Sequence, residues 1–354
     1  MKRLKLKPAQ IAQELLEFNN KMLKSLETLS QIDQVDVDCT PFEEIYQEDK
    51  LRLRFYPATG AVVQKRPLLI VYALVNRPYI LDLQPDRSLI KSLTEHGVPV
   101  YLIDWGYPDR ADRYLDLDDY INGYIDNCVD KVLQHSQQTQ LNLMGICQGG
   151  TFSLCYTAIN PEKVNRLITV VTPVDFHTDG NTLSQLAQGV DVDLALQSYG
   201  NFPGHLLTQA YNSLMPARLG LQKQLSLPMQ LEHRNSALNF LRMERWIHDS
   251  PDLAGQAFKE FIDNFFTDNR FINGDLSIGE EAVDLSRIKQ PLLNLFATKD
   301  HLVPPAASKA LRTLTSSQDY NEHPFNGGHI GIFVGRRSHQ QLPKLIADWL
   351  MKGE

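Results

Sequence analysis

The chain has 354 residues, 43% of them hydrophobic and 22% charged, with a net charge of −7. That length exceeds what one core usually fills, so one large catalytic domain carrying an insertion is expected. The acidic balance and the lack of a long basic run argue against a nucleic-acid partner, and an anionic substrate would need local Lys or Arg.

Cys39, Cys128, Cys147 and Cys155 are too scattered for a disulfide framework, and no Cys-x-x-Cys pair suggests zinc. A reducing, cytoplasmic setting follows, and no metal or cofactor is called for. The N-terminus carries Lys2, Arg3, Lys5 and Lys7 but no apolar core of signal-peptide type, and no stretch approaches a membrane span.

In chain order, Ile11, Leu15, Phe18, Met22, Leu26 and Leu29 recur at helical spacing, which predicts an amphipathic helix over 8–30, packed against the core in preference to serving as a partner-docking arm. Arg52 to Tyr56 reads as a strand. The continuous apolar runs Leu68–Leu74, Val98–Asp104, Leu141–Ile146, Leu167–Val171 and Leu292–Ala297 read as strands buried on both faces. Helical patterns lie between most of them, the clearest being Leu117, Ile121, Tyr124, Ile125, Cys128, Val129 and Val132. Such alternation implies an α/β fold with a mostly parallel sheet and helices on both faces.

The alternation breaks between 177 and 286, where short helical patterns, Pro and Gly dominate. This span reads as a helical cap insertion whose apolar face, Leu253, Phe258, Phe261, Ile262, Phe265 and Phe266, is large enough to cover a site. The expected division is an N-terminal helical extension at 1–40, a catalytic core at 41–176 and 287–354, and the cap at 177–286.

The strand ending at Ile146 runs directly into Gly145-Ile-Cys-Gln-Gly149 and Gly150, with a helical stretch following. This is the nucleophile-elbow pattern of the α/β-hydrolase fold, with Cys147 where serine usually stands. Glycines permit the tight turn that lifts the nucleophile clear of the sheet, and the free N–H groups of the following helix favour a sulfur anion. Cys128 falls on an apolar stripe and Cys155 two turns into the next helix, so both read as core.

The fold orders its remaining partners as acid, then histidine. Asp300 follows the last apolar strand, and Asp175 in Thr172-Pro-Val-Asp-Phe176 is the rival acid; Asp300 is favoured. His329, in Gly327-Gly-His-Ile-Gly331, is the expected base, with His323 and His301 set aside as packing or surface residues. The oxyanion hole takes the Gln148 backbone N–H and one from Val75 or Asn76, with Val75 preferred.

Several longer motifs resemble the polyhydroxyalkanoate synthases, most closely the class III catalytic subunit: Tyr72-Ala-Leu-Val-Asn-Arg-Pro-Tyr79, Leu102-Ile-Asp-Trp-Gly-Tyr-Pro108, Asp118-Asp-Tyr-Ile-Asn-Gly-Tyr-Ile125, Gly145-Ile-Cys-Gln-Gly-Gly150, Val171-Thr-Pro-Val-Asp-Phe176, Asp300-His-Leu-Val-Pro-Pro305 and Gly327-Gly-His-Ile-Gly331. The resemblance implies (R)-3-hydroxyacyl-CoA substrates, commonly 3-hydroxybutyryl-CoA, and a polyester product stored as granules. It also implies an accessory synthase subunit of PhaE type, in a homodimer or larger hetero-oligomer. It places the nucleophile at Cys147, the acid at Asp300 and the base at His329. A cysteine thioesterase or dienelactone-type hydrolase of the same fold shares the elbow; CoA release without polymer would identify it. A non-enzymatic granule-surface protein is the other alternative, and it would have no use for the three-residue constellation.

Overall fold

The computed structural model describes residues 8–214 and 223–352, so Lys2, Arg3, Lys5 and Lys7 lie outside the described residues. Among these, the strands in chain order are β1 (Glu43–Glu48), β2 (Leu51–Tyr56), β3 (Leu68–Val71), β4 (Val100–Asp104), β5 (Leu141–Ile146), β6 (Val164–Val170), β7 (Ser277–Ile278), β8 (Glu281–Ala282), β9 (Leu292–Ala297) and β10 (Tyr320–Phe325). All but the small β7–β8 hairpin join one sheet in the order β1-β2-β4-β3-β5-β6-β9-β10. Within that sheet, among the described residues, only the β1–β2 and β2–β4 pairings are antiparallel.

The period of two along each strand divides the core between two faces. Leu69 and Val71 of β3 enter one apolar cluster, with the helices Asp126–Ser136 and Gln148–Ile159; Leu68 and Ile70 enter the other, with Leu89–Glu95 and Arg336–Met351. The stripe from Leu117 to Val132 is buried in the first, although Asp119–Ile125 winds as a π-helix before the α-helix begins.

Three sequence expectations need correction. The apolar run from Leu68 leaves the sheet after Val71 instead of continuing to Leu74. Its backbone groups turn to side chains: Trp105 Nε1 donates to the Tyr72 carbonyl at 2.9 Å, and the Leu74 N–H donates to Gln148 Oε1 at 3.1 Å. The second correction concerns the phenylalanine-rich face. Phe261 lies 5.9 Å from Phe152 and 6.0 Å from Phe176 between ring centres, so this face packs into the main core. Spacing reveals that a helix face is apolar; it does not reveal what that face meets.

The third concerns the helix Pro8–Ser30. Of its predicted stripe, Leu15 and Leu26 are each 58% exposed and Phe18 41%, while Met22 and Leu29 are half-buried, so the stripe is covered only in part. Its covered side leans on the helices Lys223–Leu231 and Arg234–His248. Ser25 Oγ donates to the Pro228 carbonyl at 2.9 Å and Thr28 Oγ1 to the Glu232 carbonyl at 3.2 Å. Arg234, Arg242 and Arg245 then hold the carbonyls of Gln31, Asp36 and Val35 at 2.9, 2.8 and 2.7 Å. Among the described residues no helix is long and apolar enough to cross a membrane.

A buried charge cluster pins the loop after β3. Asp104, at the end of β4, holds Arg54 Nη2 and Arg77 Nη2, each at 2.6 Å. Removing one partner of such a cluster strands the other charges away from water. Asp104→Asn leaves two guanidinium groups short of their anion, and the expected loss is about 3–5 kcal/mol, read as a lowered urea midpoint. A midpoint equal to wild type would show the arginines already balanced by other groups.

Candidate active site

The turn after β5 is the most constrained backbone in the site. Cys147 has φ 53° and ψ −123°, a region disfavoured for any residue bearing a side chain and costing on the order of 1–3 kcal/mol. The turn is held because the Cys147 N–H donates to the Val170 carbonyl at 2.9 Å, and its own carbonyl accepts from the Gly150 N–H at 2.9 Å. A Cβ at Gly149 would strike the carbonyls of Val71 and Tyr72, and one at Gly150 the Thr172 side chain. The glycines therefore let the helix Gln148–Ile159 begin at once, close against β3, with the sulfur projecting from the end of the sheet.

Asp300 and His329 reach this point from neighbouring strands. The parallel register of β9 and β10 aligns Ala297 with Phe325, so the following loops emerge side by side. The Thr298 N–H bonds the Phe325 carbonyl at 2.8 Å and the Lys299 N–H the Gly327 carbonyl at 2.9 Å, fastening the loops together. His329 Nδ1 lies 2.7 Å from Asp300 Oδ2. The other Asp300 oxygen accepts the N–H groups of Leu302 and Val303, each at 2.9 Å. Both side chains are buried.

Burial disfavours a charged His329 ring, yet the Asp300 carboxylate and the Cys147 sulfur outweigh it and raise its pKa well above the ordinary histidine value. The Cys147 sulfur lies close enough to the ring to raise its pKa; with Nδ1 committed to Asp300, the nitrogen left to face it is Nε2. The structure thus brings together Cys147, His329 and Asp300, while Asp175 is occupied elsewhere, its Oδ1 accepting from Asn269 Nδ2 at 2.9 Å and the His177 N–H at 3.0 Å. His323 sits on β10 with its ring 4.9 Å from Phe325. Cys128 and Cys155 are buried and burial drives both thiols up; at Cys39, burial and the Asp82 carboxylate that its thiol meets push it up to about 12.

Gln148 opens the helix, and its side chain ties the elbow to Leu74, the residue before Val75. Among the described residues no protein acceptor engages the N–H of Gln148 or of Val75. Asn76 has φ 59°, and its side-chain amide donates to the Trp246 carbonyl at 3.2 Å and the Ile247 carbonyl at 3.5 Å. Two tyrosines lie within electrostatic reach of Cys147: burial first, then the sulfur, pushes the hydroxyls of Tyr72 and Tyr211 above the ordinary phenol range. The sequence offered no signal for Tyr211 or Trp246, because neither lies near the elbow in the chain and neither belongs to a catalytic motif.

A thiol on an imidazole that is itself held by a carboxylate, with backbone N–H groups at a helix start, is an arrangement for acyl transfer. The chain matches the α/β-hydrolase family over residues 66–336 and the N-terminal family of poly-β-hydroxybutyrate polymerase (PhaC) over residues 9–93. It is 49% identical over 351 residues to the poly(3-hydroxyalkanoate) polymerase subunit PhaC of Thiocystis violacea, covering 99% of both chains. The Allochromatium vinosum protein of the same name is 50% identical over 347 residues, 98% of each chain, and that of Synechocystis sp. is 47% identical, covering 95% of this chain and 92% of its relative.

Among solved structures, the yeast monoglyceride lipase aligns with a TM-score of 0.54 at 12% identity, over 90% of this chain and 96% of its own. A monoacylglycerol lipase from Paleococcus ferrophilus aligns at 0.53 and 16% identity, over 86% of this chain and 100% of its own. These likenesses establish the fold alone. The near full-length relatives establish the rest: the chain belongs to the poly(3-hydroxyalkanoate) polymerase family, as an acyltransferase of the PhaC subunit type built on the α/β-hydrolase fold.

Proposed function

We propose that Cys147 is the covalent acyl carrier of this polymerase, receiving (R)-3-hydroxyacyl groups from CoA thioesters, 3-hydroxybutyryl-CoA foremost. The observation that supports it is the strained elbow cysteine placed on His329, with Asp300 on the opposite ring nitrogen. In the first step His329 takes the thiol proton, the sulfur attacks the thioester carbonyl, and the oxyanion faces the N–H groups of Gln148 and Val75. The bond to CoA sulfur then breaks, and CoA leaves with the proton from His329.

In the second step the hydroxyl of a hydroxyacyl group loses its proton to His329 and attacks the Cys147 thioester. An ester bond forms, the carbon–sulfur bond breaks, and the proton returns to Cys147. Exchange of one thioester for another keeps the acyl group activated between the steps, which a serine ester would not. Asp300 has both oxygens committed, one to His329 and one to the backbone, so it serves the proton transfers through the imidazole.

Beyond the single chain we place an accessory synthase subunit of PhaE type, a homodimer or larger hetero-oligomer, and a cytoplasmic position at the surface of polyester granules. The family resemblance supports these. We keep the division into an extension at 1–40, a core at 41–176 and 287–354, and a cap at 177–286. The run of helices between β6 and β9 supports it.

Three measurements test this reading. Cys147→Ala removes the acyl carrier, and CoA release from (R)-3-hydroxybutyryl-CoA should fall by at least about 10³-fold with the circular dichroism unchanged; turnover within tenfold of wild type would refute the assignment. Asp300→Asn, followed by rapid quench, should slow steady CoA release more than the first burst, because an alcohol depends on the base more than a thiol does. Equal loss in both phases would confine Asp300 to orienting the ring.

The third concerns pH. His329 has a folded pKa above its unfolded value, so protonation of its ring stabilises the fold fully below about pH 6.5, and that contribution is lost as pH rises through the folded pKa. The urea midpoint of wild type relative to His329→Gln should therefore be greatest below about pH 6.5 and narrow as pH rises through the raised folded pKa. A gap that widens with pH would reverse the sign of the shift.

A further inference from the structure

The stretch that carries the second oxyanion donor is tied down at both ends, by different parts of the chain. On one side the Leu74 N–H donates to Gln148 Oε1 at 3.1 Å, which joins it to the elbow. On the other, Asn76 donates to the carbonyls of Trp246 and Ile247 at 3.2 and 3.5 Å, and Trp246 Nε1 donates back to the Arg77 carbonyl at 2.8 Å. Val75 lies between these ties. Trp246 and Ile247 belong to the last turn of the helix Arg234–His248, about 170 residues further along the chain.

Two further bonds extend the second tie. Asp249, immediately after that helix, accepts the hydroxyls of Tyr79 at 3.0 Å and Tyr107 at 2.8 Å. Tyr107 in turn covers the Arg77 guanidinium, 4.2 Å from its ring centre. Asn76 itself holds φ 59°, a conformation that asparagine tolerates better than most side chains and glycine adopts without cost. Its amide therefore does more than satisfy the backbone: it converts a left-handed turn into a bond to another element.

We propose that the 246–249 turn is a latch for the oxyanion loop, with Asn76 and Trp246 as positioning residues that aim the Val75 N–H at the Cys147 acyl group. The oxyanion hole is then complete only while the helix Arg234–His248 is seated. The same helix grips the N-terminal segment through Arg234, Arg242 and Arg245. A displacement of that segment would accordingly reach the site through the latch, at the level of catalysis and without touching the thiol. This inference rests on the reading of Cys147 as acyl carrier.

The test uses the full chain and separates three quantities: kcat and KM for CoA release from (R)-3-hydroxybutyryl-CoA, and the rate at which iodoacetamide alkylates Cys147. Asn76→Gly keeps the left-handed backbone and deletes the tie. It should lower kcat on the order of 10- to 100-fold, with KM and the alkylation rate each within about threefold of wild type, since the thiol and His329 are untouched. Trp246→Phe keeps the packing, deletes one donor and should show the same pattern at smaller size. Wild-type kcat in both variants overturns the latch, as does a parallel fall of alkylation and kcat, which would mean collapse of the whole site. Failure of the underlying reading looks different: CoA release that survives complete alkylation of Cys147 in the wild type.

Discussion

Everything in the site is arranged around one unfavourable turn. A residue with a Cβ at φ 53° and ψ −123° persists only where its surroundings leave it no alternative. Here β5 enters the turn from the middle of the sheet, buried on both faces and paired with β3 and β6. The helix that leaves the turn is locked in by the close approach of Gly149 to the backbone of β3 and of Gly150 to Thr172. The early departure of the chain from β3 after Val71 belongs to the same constraint, since the helix start occupies the space beside Tyr72. The strain is thus offset by packing that extends well beyond the site, and its product is a sulfur that stands free of its own strand.

Two buried carboxylates show how the fold distinguishes support from chemistry. Asp104 faces two guanidinium groups, so the cluster is a fixed tie between β2, β4 and the loop after β3. Asp300 faces two backbone N–H groups and one imidazole. Only the last of these can gain or lose a proton near neutrality. The difference in partners, and no difference in burial, makes one carboxylate structural and leaves the other coupled to a titrating group.

The parts legible in the sequence were those in which local pattern and global position agree. Continuous apolar runs marked β3, β4, β5 and β9 because strands buried on both faces tolerate no polar alternation. Cys147, Asp300 and His329 could be named because each ends a parallel strand or its following loop, where a doubly covered sheet leaves space for a site. The edge strand β1, Glu-Glu-Ile-Tyr-Gln-Glu, carries no apolar period and was not seen. The helix Pro8–Ser30 is legible as amphipathic, but its stripe is only partly covered, since amphipathicity does not say how much of a face finds a partner. Asn76 drew notice only as a backbone donor; its tie to Trp246 depends on a contact across most of the chain, and no local rule carries that information.

Water sets the last requirement. On the proposed mechanism the Cys147 thioester waits between two steps, and hydrolysis during that interval would end a chain that should grow. His329 is buried and serves both steps, so an alcohol and a water molecule would compete for the same base. Chemistry at the carbonyl does not separate them, because both are oxygen nucleophiles. What separates them is position: an ester chain end held beside the thiol acts at an effective concentration that free water in a crowded pocket cannot match. The buried Tyr72 and Tyr211 lie within electrostatic reach of Cys147, and the end of the helix Arg234–His248 is bonded to Asn76. On this proposal the elements that aim the oxyanion donor would also narrow the space for water, so polymerisation rather than hydrolysis would follow from keeping both functions in one place.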